Sequence, residues 1–238
     1  MKSPRSSLLL LATIASQLAG CALVSRGETL QVRYYTLDDR AAEHAAGSKS
    51  ELALRLGRVD ASGGLGEQIA VRKGTHEISY REDQRWTERP AQFVRRELER
   101  ALFSERGLTR SYSGHTPQME VELIELELVE ADKQAQARVR LTAQIRDDRR
   151  SLCHDNFETQ LPVEADPRAD MERSVAALSS ALHRTVEQVA SRAVDCLAAS
   201  AKDSAKESAS SSRNASKARE SREPEQPADT SSLANAEQ

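Results

Sequence analysis

Glu120-Val121-Glu122-Leu123-Ile124-Glu125-Leu126-Glu127-Leu128 and, past a loop around Asp132, Ala137-Arg138-Val139-Arg140-Leu141-Thr142-Ala143-Gln144-Ile145-Arg146 decide the fold. Both runs alternate apolar and charged residues, the period of a strand with one face in a core and the other in water. In the first run the alternation slips by one residue between Leu123 and Ile124, the mark that a β-bulge leaves. Antiparallel pairing sets Glu127 near Arg138 and Glu125 near Arg140, each pair contributing about 0.2–1 kcal/mol. The acidic run could instead hold a cation or a docking partner, but the matching arginines favour a solvated sheet face.

Outward from this hairpin, Arg149 to Thr159 supplies a turn and another strand, with Leu152, Cys153 and Phe157 available for burial. Asp166-Pro167 is then expected to open a helix, with Asp as N-cap and Pro at the first helical position. Met171, Val175, Leu178, Leu182, Thr185, Val189, Ala193 and Cys196 recur at three- and four-residue steps, which puts them on one face of the helix. That face must cover the sheet; a coiled-coil seam competes, weakened by Thr185 and Ala193.

Upstream, strand character begins at Val32 to Leu37, with Tyr34, Tyr35 and Thr36. A polar loop or short helix from Asp38 to Ser50 follows, then a strand carrying Leu52, Leu54, Leu56 and Val59. Gln68 to Arg72 and Glu77 to Arg81 form a hairpin around Lys73-Gly74. Pro90 opens an amphipathic helix whose inner stripe is Val94, Leu98, Ala101 and Leu102, and which Gly107 stops. Trp86, the single tryptophan, either seals the core between hairpin and helix or forms a partner contact, and the core reading is favoured. The expected fold is α+β: an antiparallel or mixed sheet packed against a mid-chain helix and a long C-terminal amphipathic helix, over 34–198.

The two ends have their own chemistry. Lys2 and Arg5 precede an apolar run from Leu8 to Leu18, too short to span a bilayer and shaped like a secretory signal. It closes on Leu18-Ala19-Gly20-Cys21, which resembles a bacterial lipobox. That resemblance implies cleavage after residue 20, S-diacylglycerol and an N-acyl chain on Cys21, and a polar tether over 21–33. A plain secretory signal would leave Cys21 unmodified, and an uncleaved anchor would need a longer apolar run. By resemblance to sorting in enteric bacteria, where an Asp in place of Ala22 would retain the protein at the inner membrane, Ala22 implies an outer-membrane location, lipid-anchored and facing the periplasm. After Leu197 the chain turns to Ala, Ser, Lys, Glu and Arg without aromatics, and 199–238 is expected to be a disordered polar tail.

The formal charge of −3, about −5 without Lys2 and Arg5, is mixed in sign and argues against a nucleic-acid partner. Beyond Cys21 only Cys153 and Cys196 remain, in a compartment that permits disulfides. A bridge tying a strand to the last helix and a pair of buried free thiols stand as equal alternatives. His44, His76, His115, His154 and His183 are scattered without ligand spacing, and no nucleophile elbow or phosphate-cradling loop is present. No catalytic, metal or cofactor-binding residues are expected.

Tyr34-Tyr35-Thr36-Leu37, Leu54-Arg55-Leu56-Gly57-Arg58-Val59, Ile69-Ala70-Val71-Arg72, and Arg85-Trp86 followed by Pro90 together resemble the ABC-type transport auxiliary lipoproteins. Departures stand at Arg89 and Ala91, where members often carry a second proline or an apolar residue, and in the long tail. The resemblance implies a non-catalytic accessory of a mammalian-cell-entry (MCE) domain transport system moving lipid between two membranes. Its implied partners are the MCE protein, a permease and an ATPase, with Tyr34, Tyr35, Trp86 and Pro90 as structural or partner-contact positions. Homo-oligomerisation through the long helix or an exposed strand edge is compatible with it. The rival readings are an envelope lipoprotein with a small-ligand or catalytic role and an assembly factor for another outer-membrane machine.

Overall fold

The computed structural model describes residues 30–37, 48–131, 134–164 and 170–220. Cys21 with its signal and most of its tether, the 38–47 segment, Asp132, Asp166-Pro167 and residues 221–238 lie outside them. The strands are β1 (Arg33–Tyr35), β2 (Ala53–Ala61), β3 (Gln68–Lys73), β4 (Glu77–Trp86), β5 (Thr109–Arg110), β6 (Gln118–Ala131), β7 (Gln134–Arg146) and β8 (Ser151–Val163). Helix α1 (Pro90–Glu99) widens into a π-helical turn over Arg100–Glu105, and α2 spans Met171–Glu220.

The eight strands form one mixed sheet organised by β6. Along one edge β6 pairs antiparallel with β7 from Gln118↔Arg146 to Ala131↔Gln134, and the pairing shifts between Leu123 and Glu125, which leaves Ile124 as the bulged residue. Glu125 faces Arg140 and Glu127 faces Arg138, the register that charge complement dictates. The other edge of β6 is shared. Its first half takes β2 in parallel, through Leu56↔Met119 to Ala61↔Leu123, and its second half takes β3 in parallel, through Ala70↔Glu127 to Lys73↔Glu130. Beyond β3 lie β4 and then β1, beyond β2 lies the short β5, and β8 follows β7 at the opposite side.

Both helices cover one face of this sheet. Met119, Val121, Leu123, Leu126 and Leu128 of β6 and the odd-numbered residues of β7 from Ala135 to Ile145 are buried there. Against them pack Met171, Val175, Leu178, Leu182, Val189, Ala193 and Cys196 of α2, so the helical stripe covers the sheet and is not a coiled-coil seam. Thr185 is fully buried within it, its hydroxyl satisfied by donating to the Ala181 carbonyl at 2.8 Å. Phe93 joins Val94 and Leu98 of α1 and Ala101 and Leu102 of the π-helical turn in the core, and Pro90 occupies the first turn of α1, where its missing N–H costs nothing. Gly107 ends the turn at φ +64; a Cβ there would meet the Ser48 carbonyl oxygen, so only glycine fits.

Two boundaries differ from expectation. The described part of α2 starts at Met171 behind Asp170, whose carboxylate accepts the Arg173 N–H at 3.1 Å. Asp170→Ala is expected to lower stability by about 1 kcal/mol in denaturant unfolding, as loss of an N-cap does. At its other end α2 does not stop near Leu197 but runs on to Glu220. Composition predicts disorder from about Ala201, because the segment has nothing to bury. A helix already nucleated by a packed stretch propagates at little cost through Ala, Lys and Glu, with neither Gly nor Pro to interrupt it before Pro224. Residues 201–207 are accordingly exposed all round.

The β7–β8 turn is held by Asp147, whose side chain accepts the N–H groups of Arg149 at 2.8 Å and Arg150 at 2.7 Å. Those two backbone hydrogen bonds keep its carboxyl below the ordinary aspartate value. The contribution is therefore present above the usual carboxylate range and fades as acid approaches the depressed value.

Candidate functional site

The face of the sheet turned away from the helices is polar, and its centre is a lattice of alternating charges. Arg72 of β3 grips Glu127 with two parallel hydrogen bonds, Nε to Oε1 at 2.6 Å and Nη2 to Oε2 at 3.0 Å. Arg138 stands between Glu127 at 3.6 Å and Glu125 at 3.7 Å, and Arg140 reaches Glu125 at 2.5 Å. Glu127 is only 3% exposed, buried by the side chains around it on a face otherwise open to water. Its hydrogen bond outweighs the desolvation of Arg72 and raises the guanidinium above its ordinary value. Arg72→Leu is expected to cost about 2–3 kcal/mol in urea unfolding, because the buried carboxylate loses its bidentate partner. Adding Glu127→Leu should recover most of that loss, since an apolar pair in the same place leaves no charge unmatched.

On the same face an open groove of about 410 Å³ is bordered by Arg58, Asp60, Glu120, Glu122 and His154. Its acids are engaged: Asp60 with Arg58 at 2.7 Å, Glu120 with Arg146 at 3.2 Å, and Glu122 with the Ser62 hydroxyl at 3.4 Å.

A second charged cluster joins the π-helical turn to α2. Arg100 bonds Glu97 at 2.7 Å, Glu105, and the His183 Nδ1 at 2.8 Å; since a guanidinium only donates, that nitrogen accepts. Burial pushes the Glu187 carboxyl up, yet its hydrogen bonding with Glu105 and the hydrogen bond that it accepts from Arg106 prevail and hold it below the usual range. This cluster rivets α1 to α2, and nothing in the spacing of its residues along the chain announces it.

The positions singled out from the sequence fall into separate places. Trp86 is 2% exposed and meets Phe93 edge-on at 5.9 Å between ring centres, so it seals the junction of β4 and α1. Pro90 is buried beside it in sequence, and Tyr35, paired with Trp86, packs against the core. Tyr34 alone of the group stands out in solvent, 65% exposed. Cys153 of β8 and Cys196 of α2 are joined by a disulfide, with Cα atoms 6.3 Å apart. Asp155 lies close enough to both sulfurs to complete a three-donor cluster. Sulfurs bonded to each other are not thiolate ligands, however, and Asp155 is engaged by Arg192 at 2.9 Å. Among the described residues no helix is long and apolar enough to cross a membrane.

A mixed sheet with one face sealed by helices and the other lined by paired charges defines an α+β domain. The chain belongs to the family described as the ABC-type transport auxiliary lipoprotein component, which matches residues 35–190. Membership implies a membrane-anchored place in the cell envelope and association with an ABC transport system.

Among solved structures, protein XCC0632 from Xanthomonas campestris is similar at 16% identity and a TM-score of 0.60, over 73% of this chain and 99% of that one. An uncharacterized protein is similar at 12% identity and a TM-score of 0.55, over 68% of this chain and 98% of that one. At these identities the likeness concerns the fold alone. No curated protein matches in sequence.

Proposed function

We propose that this chain is an outer-membrane lipoprotein whose periplasmic domain is a non-catalytic accessory subunit of an MCE-type ABC transport system moving lipid between the inner and outer membranes. The family match over residues 35–190 carries the reading, and the lipobox-like Leu18-Ala19-Gly20-Cys21 just upstream of the matched region supports it. Diacylglycerol and an amide-linked chain on Cys21 hold the domain at the membrane, while its sheet or helix surface grips the far end of the transporter. ATP hydrolysis occurs in another subunit. Purification of the tagged, membrane-extracted protein should bring down the MCE-domain protein together with its permease and ATPase. Recovery of a different transporter, or of cell-wall enzymes alone, overturns the assignment.

A further inference from the structure

Five large apolar side chains are exposed among the described residues, and four of them gather at one margin of the sheet. Leu30 is 59% exposed, Tyr34 65%, Ile78 42% and Tyr80 41%. Tyr34 pairs with Arg85, which faces Gln68; Tyr80 faces Ala70 and Ile78 faces Arg72. Residues paired across strands share a face, so Tyr34, Tyr80 and Ile78 all stand on the side opposite the helices, while Ile69, Val71 and Trp86 point into the core. Because β1 runs parallel to β4, the chain entering β1 comes from the Glu77 end of β4, where Ile78 and Tyr80 stand. Leu30 lies on that approach. The four side chains thus line the β1–β4 margin of the sheet, Tyr34 beside Arg85 near the Trp86 end of β4 and Tyr80 and Ile78 toward its Glu77 end, a corner that the chain from Cys21 enters through Leu30.

We infer that this β1–β4 corner rests on the surface of the lipid bilayer that holds Cys21. The inference deepens the function proposed above and rests on its acylation of Cys21. Two observations favour lipid over a protein occupant. Leu30 is nine residues after Cys21, and nine residues reach at most about 32 Å even fully extended, so the anchor holds the start of this corner within that distance of the membrane. The exposed groups are also of the kind suited to the headgroup boundary: aliphatic chains, and tyrosines with an apolar ring and a polar tip. With the core sealed on the opposite face, the corner can lie on lipid without disturbing the packing of α1 and α2.

The test uses the full-length acylated protein in vesicles of phosphatidylethanolamine and phosphatidylglycerol with brominated acyl chains. Tyr34→Trp and Leu30→Trp place an indole in the corner. Tyr112→Trp places one in the loop after β5, at a position 83% exposed, and Trp86 supplies a buried background common to all. The corner indoles should lose emission to bromine and shift to the blue, while Tyr112→Trp behaves like the unsubstituted protein. If the protein floats with the vesicles and the corner indoles stay unquenched, or Tyr112→Trp is quenched equally, the orientation is wrong. Unquenched corner indoles that become shielded only on adding the MCE-domain protein assign the corner to that partner and overturn the inference. A protein that fails to float at all refutes the acylation of Cys21, and the inference falls with it.

Discussion

Replacing Cys21 by serine should leave the domain folded and move nearly the whole population from the membrane fraction to the soluble periplasm. One acyl chain holds a protein to a bilayer only marginally and two hold it firmly, so losing the three chains proposed for Cys21 would remove a near-permanent attachment. The core of the described residues runs from Leu37 to Leu197, so the thermal transition should be unchanged. Fractionation with a parallel melting curve separates release from unfolding. Lipid exchange between the membranes should fall with release, because the domain would no longer be held where the transporter ends. Unchanged membrane association and unchanged transport in the Cys21→Ser variant would refute both the anchor and its role.

The second large effect concerns the bond between β8 and α2. Cys153 and Cys196 are 43 residues apart, and closing a loop of that length removes enough freedom from the unfolded chain to stabilise the fold by about 4 kcal/mol on the chain-entropy account. The bond also has a local role, since β8 pairs only with β7 among the described strands and α2 is its cover. A reductant, or Cys153→Ser with Cys196→Ser, should lower the melting temperature by about 10 °C for a domain of this size. The double variant should show no further drop on reduction. A wild-type transition indifferent to reductant would mean the bond contributes nothing to stability.

The local features were legible for identifiable reasons. The β6–β7 register follows from the charges on one hairpin, including the bulge at Ile124, because cross-strand pairs meet within a few residues of a turn. The inner stripe of α2 follows from its spacing, and Trp86 from its place before Pro90. The non-local features were not legible. Nothing in the chain announces that β2 and β3 divide one edge of β6 between them, because parallel pairing over so many intervening residues leaves no local trace. Glu127 was matched to Arg138 across the hairpin, whereas its closest partner is Arg72 from β3. The Arg100–His183 contact spans 83 residues. The extension of α2 to Glu220 is not legible because its composition offers nothing to bury, whereas a helix meets its own backbone hydrogen bonds without burial.

The shared edge of β6 also orders events in time. The hairpins β6–β7 and β7–β8 close over short stretches of chain, whereas β2 and β3 must wait for a strand that begins at Gln118. A nucleus built on β6, β7 and β8 is the economical start, with the amino-terminal strands condensing onto it afterwards. Truncating Leu141 should therefore chiefly slow refolding, whereas truncating Ile69 should chiefly speed unfolding, a contrast visible in the two arms of a denaturant chevron. During synthesis β3 can close early on β4, but β2 and β3 wait for β6, and their apolar faces stay uncovered until the carboxyl half arrives.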